Sequence, residues 1–337
     1  MQPQAVTPCG AIVLSFLVAA TCAAQGEVAT APLVLEAKIS LGDFRGRIDH
    51  LAIDTVRQRL YVAELGDNSI GVIDLKANRL IRTIGGFSEP QGVGYEPSTD
   101  TVYVSNSGDG SVRLLHGPEL QPAGRIELGS DADNIRIDTV HHRVVVGYGD
   151  GALAVIDAQT LRVVATIPLK AHPESFQLDT DGRRAYVNVP NAGGITVVDL
   201  PARRELASWG TDDFKSNYPM TLDSARQLLW VAFRQPPMLV AFDAKTGARI
   251  SALQSCSDAD DLFLDGAREL IYVSCGAGVI DVWGKRGAAY VQLTSIATVA
   301  GARTSLFAPE QDRLYLAVRG NASEPAALWV FRPSPQK

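Results

Sequence analysis

From residue 33 onward, apolar and polar positions alternate in short runs, and the runs are separated by corners rich in Gly, Asp and Asn. The period is two, which belongs to β-strands with a buried face rather than to helices, whose apolar positions recur at about 3.6 residues. Residues 54–75 are representative. They hold a charged turn, the run Arg59-Leu60-Tyr61-Val62-Ala63, a Gly66-Asp67-Asn68 corner and the run Ser69-Ile70-Gly71-Val72-Ile73-Asp74. The same arrangement returns along the chain. With Tyr61 as anchor, the equivalent positions are Tyr103, Val145, Tyr186, Trp230, Tyr272 and Tyr315, at steps of 42, 42, 41, 44, 42 and 43 residues. A fixed period of this size marks a repeat architecture and decides the fold before any single element does.

Seven residues before the anchors stand Asp54, Glu96, Asp138, Asp179, Asp223, Asp265 and Ala308. A carboxylate at a strand end accepts bonds from backbone N–H groups a few residues on and shapes a tight turn, so these acids are expected to form turns rather than to catalyse. The third strands close at Asp74, Asp157, Asp199 and Asp243, corners such as Gly108-Asp109-Gly110 predict hairpins, and a fourth strand follows, as in RLIRTIGG and RVVATIPL. Each unit is therefore a four-stranded antiparallel sheet, and seven of them arranged radially bury their faces on one another. The expected fold is all-β, a seven-bladed β-propeller. Residues 33–41, LVLEAKISL, make a lone strand before the first complete unit, while the seventh unit stops after its third strand, ALWVFRP. The N-terminal strand is thus expected to complete the last blade and close the ring. Residues 33–337 read as a single domain, with a short segment at 25–32 before it.

Composition changes this picture little. Hydrophobic residues are 46% and charged residues 20% of the 337, which is ordinary for a globular chain able to bury a core. The net charge of −6, with basic residues scattered, offers no electrostatic footprint for a polyanion, so nucleic acid is not an expected partner. Residues 1–24 contain no charged side chain, and Ala11 to Ala20 form an apolar run of the length of a secretory h-region. A cleaved signal peptide over 1–24 is expected, with export to the periplasm or beyond. Ala19-Ala20-Thr21 is a poor lipoprotein box before Cys22, and the run is too short to span a bilayer. Cys256 and Cys275 are then the remaining thiols, and in an oxidising compartment a disulfide between them is expected.

The segments RLYVAE, TVYVSN, RAYVNV and LIYVSC, each preceded by an acidic turn and followed in the clearest units by a strand like IGVID, resemble the YVTN-type β-propeller repeats of exported bacterial and archaeal proteins. Tyr103-Val104-Ser105-Asn106 stands very near the tetrapeptide that names them. The resemblance covers essentially all of the chain beyond the leader. It implies a scaffold, not an activity.

Chemistry is expected where the copies stop agreeing. In propellers the connection into each innermost strand lies around one mouth of the central channel. Five residues before the turn acids this rim reads Asp49, Gln91, Asp133, Glu174, Tyr218, Asp260 and Arg303, and one residue further in it reads His50, Gly92, Asn134, Ser175, Pro219, Asp261 and Thr304. Asp49, His50, Gln91, Asp133, Asn134, Glu174, Tyr218, Asp260, Asp261 and Arg303 are therefore the candidate ligand-binding residues, with Arg303 as a counter-charge. Such a collar suits a hard cation such as calcium, held by Asp133, Glu174 and Asp260, or a cationic or sugar-like ligand. Solvated loop carboxylates are the plain alternative, since strand-entry loops favour Asp and Asn.

His172 lies near this rim, whereas His141-His142 falls in a turn at the opposite end. No nucleophile elbow, P-loop or dinucleotide fingerprint appears. The leading expectation is a monomeric, exported binding module that holds a small ligand, metal ion or partner protein at the mouth. The alternative is a metal-dependent hydrolase or lyase, lactonase-like, acting there; the late-blade histidines of propeller lyases have no counterpart in this chain. A third class is an accessory of redox or quinoprotein metabolism, for which no cofactor motif is found.

Overall fold

Seven four-stranded antiparallel sheets follow one another along the chain, the first six laid down in sequence order from the innermost strand outward. The innermost strands are β2 (Leu51–Asp54), β6 (Pro90–Glu96), β10 (Ala132–Asp138), β14 (Phe176–Leu178), β18 (Lys215–Asp223), β22 (Ala259–Asp265) and β26 (Thr304–Ala308). They touch in cyclic order, β26 against β2 included, so the sheets form a closed ring, a seven-bladed propeller. This computed structural model describes residues 1–5, 31–211, 213–321 and 325–335. The expected signal-peptide cleavage site and Cys22 lie outside them.

The ring closes as the strand count requires. β1 (Leu33–Ser40) pairs antiparallel with β28 (Ala327–Pro333), from Leu33 opposite Pro333 to Ser40 opposite Ala327, and supplies the fourth strand of blade seven. Residues Ala31–Lys337 make one compact unit. Among the described residues no helix is long and apolar enough to cross a membrane.

Alternation along the second strands explains why both of their faces are apolar. On β3 (Arg59–Glu64), Leu60 and Val62 pack with Tyr315 and Leu328 of blade seven, while Tyr61 and Ala63 pack with Val102 and Val104 of blade two. Seven apolar clusters fill the seven blade boundaries in this way. Every anchor is buried, and Tyr61, Tyr103 and Tyr272 are at most 1% exposed.

The acids at the strand ends are scaffold. Asp54 Oδ1 accepts the backbone N–H groups of Val56 and Arg57 at 3.0 and 2.9 Å, and Asp74 Oδ1 accepts those of Lys76 and Ala77, both at 2.9 Å. Arg57 also reaches the next blade, donating to both carboxylate oxygens of Asp100 at 2.7 and 2.6 Å. The device recurs where Arg268 joins Asp265 to Asp312, and where Arg226 joins Asp223 to Glu269. Guanidinium forks thus tie neighbouring blades on the face opposite the mouth.

The Gly66-Asp67-Asn68 corner has its positive φ at Asn68, which takes the left-handed conformation at φ 53° after a 3-10 turn over Leu65–Asp67. Gly66 is needed instead for close approach, since a side chain there would meet the carbonyl of Arg45 and the Cα of Gly46.

Candidate functional site at the channel mouth

The strand-entry loops of the blades converge on a cavity of about 340 Å³. Of the ten residues expected at the site, Asp49, His50, Gln91, Asp133, Asn134, Glu174, Tyr218, Asp260 and Arg303 line it. Asp261 does not. It points down the central channel, where its Oδ2 accepts the backbone N–H of Ser305 at 2.6 Å and Arg136 and His50 face it. Arg47, Asp131, His172, Ser175 and Arg234 complete the wall of the mouth.

Close packing of the loops sets the geometry. Ser105 Oγ bridges blades two and three by donating to the carbonyls of Gly92 and Asp133. A Cβ at position 92 would collide with that Asp133 carbonyl, so only glycine lets the two innermost strands approach here. In blade six the Cys256–Cys275 disulfide is formed, with Cα atoms 6.1 Å apart. It pins the loop that carries Asp258, just ahead of Asp260 on β22, to the end of the neighbouring strand.

On one side of the cavity the arginines are already engaged. Arg234 pairs with Asp258 at 3.2 Å and with Asp260, and its guanidinium lies 4.1 Å from the ring centre of Tyr218. Arg303 pairs with Asp258 at 2.7 Å and with Asp260 at 3.0 Å. Arg47 pairs with Asp49 at 2.8 Å. Asp260 is therefore committed to two guanidinium groups and does not join Asp133 and Glu174. Among the described residues no group of three or more His, Cys, Asp or Glu is arranged to hold a metal ion. In the expected calcium set of Asp133, Glu174 and Asp260, the Asp260 carboxylate is held by Arg234 and Arg303, and the rim positions alone did not show the Arg234 contact.

The other side is rich in acceptors. Asp133, 6% exposed, stands between two histidines from opposite blades, with His172 Nε2 at 3.8 Å and His50 Nε2 at 3.9 Å. The mouth is thus narrow enough for blades one, three and four to meet around one carboxylate. Asp133 Oδ1 and Asn134 Oδ1 are buried and accept no hydrogen bond. Contact with Asp133 pushes the His172 imidazole up to about 9, with the Gly149 carbonyl at 2.6 Å and Asp131 at 3.5 Å adding to it against the effect of burial. Burial, with the nearby Asp133 carboxylate adding to it, pushes Glu174 up to about 7 and Asp49 up to about 8. Burial likewise raises Asp261 to about 7. A cluster of neutral-range carboxyl groups around one cavity is the signature of charges held out of water without full compensation.

His141 and His142 take no part. His141 Nδ1 meets Asp138 at 3.0 Å and His142 Nδ1 meets Ser98 Oγ at 3.1 Å, both in the turns at the other end of the ring.

No family model matches the chain. Among curated proteins it is similar to the uncharacterized protein YncE of Salmonella typhimurium and of Salmonella typhi, 23% identical to each over 193 residues. That match covers 55% of this chain and 54% of the relative, so the chain spans about half the length of the curated relatives it matches. Among solved structures it superposes on a chain of the mitotic checkpoint complex with a TM-score of 0.77 at 13% identity, covering 95% of this chain and 98% of that one. It also superposes on a chain of Kuenenia stuttgartiensis hydrazine synthase with a TM-score of 0.72 at 14% identity, covering 84% and 97%. At such identities the likeness is one of fold.

Proposed function

We propose that this protein is an exported binding module of the YVTN-type propeller group, which holds a small hydrophilic ligand at the mouth of its channel. The observation that carries the reading is the pair of buried, unpartnered acceptors, Asp133 Oδ1 and Asn134 Oδ1, in the wall of a polar cavity. A buried acceptor without a donor costs about 1–3 kcal/mol, more if charged, and native proteins rarely leave one except where another partner completes it. The cavity, about 340 Å³, lies at the small end of the range for ligand pockets. Its lining of Asp, Glu, Asn, Gln, His and Arg suits a molecule with several polar groups rather than an apolar one. Export agrees with the uncharged apolar leader and with a disulfide that braces the mouth.

A thermal-shift panel of sugars, polyols, amino acids, organic acids and amines tests the reading. At least one class should raise the melting temperature in a concentration-dependent way, as a ligand that binds only the folded state must. The rise should vanish in the double variant Asp133→Asn, Glu174→Gln. A shift that persists in the double variant, or no shift from any class, would contradict it.

A further inference from the structure

We infer that the ligand of the mouth is an organic cation recognised through its N–H groups, a primary or secondary amine or an amidinium, rather than an anion, a neutral polyol or a quaternary ammonium. The inference rests on the reading of the mouth as a ligand site and adds the ligand's charge and donor chemistry.

Three observations carry it. First, the cations of the mouth are already paired: Arg234 and Arg303 with Asp258 and Asp260, Arg47 with Asp49, and His172 with Asp131 and with Oδ2 of Asp133. An incoming anion would have to displace a carboxylate from each guanidinium. Second, the two fully buried polar atoms of the lining that lack a hydrogen-bond partner are both acceptors. Asp133 Oδ1 and Asn134 Oδ1 are buried in residues 6% and 3% exposed and lack a donor, and the Glu174 carboxylate lies beside the Asp133 charge. A ligand with N–H groups supplies donors and positive charge together, and charge-assisted bonds of that kind are the strongest available to a buried carboxylate.

Third, the route by which proteins bind quaternary ammonium ions is closed. Such ions have no donor and need open aromatic faces. Among the described residues the lining holds one phenol or aromatic hydrocarbon ring, that of Tyr218, and the Arg234 guanidinium lies against it at 4.1 Å.

Isothermal titration with a matched four-carbon series tests this: putrescine, its fully N-methylated bis-quaternary form, 1,4-butanediol and succinate. Putrescine should bind, and the other three should bind at least about 10-fold more weakly, the factor expected for losing one charged hydrogen bond at a buried site. Asp133→Asn, similar in size, should weaken putrescine by a similar factor while circular dichroism stays unchanged. Butanediol or succinate binding as tightly as putrescine, with loss in Asp133→Asn, would overturn the cation inference and leave the mouth a ligand site. Equal binding by the quaternary form would overturn the requirement for N–H donors. If none of the four binds and the broader panel also shifts nothing, both readings fall.

Discussion

Asp133→Asn perturbs the mouth at the point where blades one, three and four meet, and its electrostatic effect can be worked out. The substitution keeps the shape and removes one negative charge from beside His172, whose Nε2 lies 3.8 Å away. Two unit charges at that distance interact by about 4 kcal/mol at an effective dielectric constant of about 20, which corresponds to about 3 pKa units at 1.36 kcal/mol per unit. Water reaches the imidazole, whose side chain is 19% exposed, and the Gly149 carbonyl and Asp131 remain after the substitution. A fall of about 1 to 2 units from the wild-type value of about 9 is therefore expected.

The neighbours move in the same direction. Asp133 raises Asp49 and Glu174, so both carboxyls should titrate lower in the variant. The stability linkage has a definite sign. The folded state raises His172 above its unfolded value of about 6.5, so the pair stabilises fully below that pH and the benefit disappears as pH rises through about 9. The stability difference between wild type and variant due to this pair should therefore be present at pH 6 and absent above pH 10. Histidine ring NMR over pH 5–10 reads the pKa directly. An unchanged His172 pKa in Asp133→Asn, or a rise in that of Glu174, would refute the reasoning.

Three further outcomes are expected. Gly92→Ala forces a methyl group against the Asp133 carbonyl and should cost roughly 1–3 kcal/mol in urea unfolding, with ligand affinity falling as the Asp133 loop shifts; unchanged stability would contradict the close packing. Replacing Cys256 and Cys275 with Ser removes a cross-link between positions 19 apart and should cost about 3 kcal/mol, an effect reproduced by reductant on the wild type and absent with reductant on the variant. The folded state also raises Asp49, Glu174 and Asp261 to about 8, 7 and 7. Their stabilising protonation is fully present below about pH 4 and lost as pH rises through 7–8, so the melting temperature of the ligand-free protein should fall between about pH 4 and 8, and fall less in Glu174→Gln.

The fold was legible because the blades share two constraints. A turn acid seven residues before a buried anchor appears in six units, and each second strand must be apolar on both faces because each face meets a different blade. Those demands are local, so one chain displays the first six times and the second seven. The mouth was legible as a sequence column, since the residues entering each innermost strand share an end of the ring. What the column could not show is which groups already have partners. Arg234 lies at the far end of an unusually long second strand, Leu228–Gln235, outside the column, and it shares the Asp260 carboxylate with Arg303. Asp131 and Arg47 lie upstream of the compared positions and were missed for the same reason. Asp261 fell one position inward, where its side chain faces the channel and accepts the Ser305 backbone N–H.

A ligand held on the unpartnered acceptors of the mouth should survive native purification. Mass spectrometry of the small molecules retained by wild type and by Asp133→Asn, Glu174→Gln, each purified natively, detects it. The wild type should retain a hydrophilic amine in stoichiometric amount and the variant should have lost it. Identical inventories from the two proteins would contradict the account.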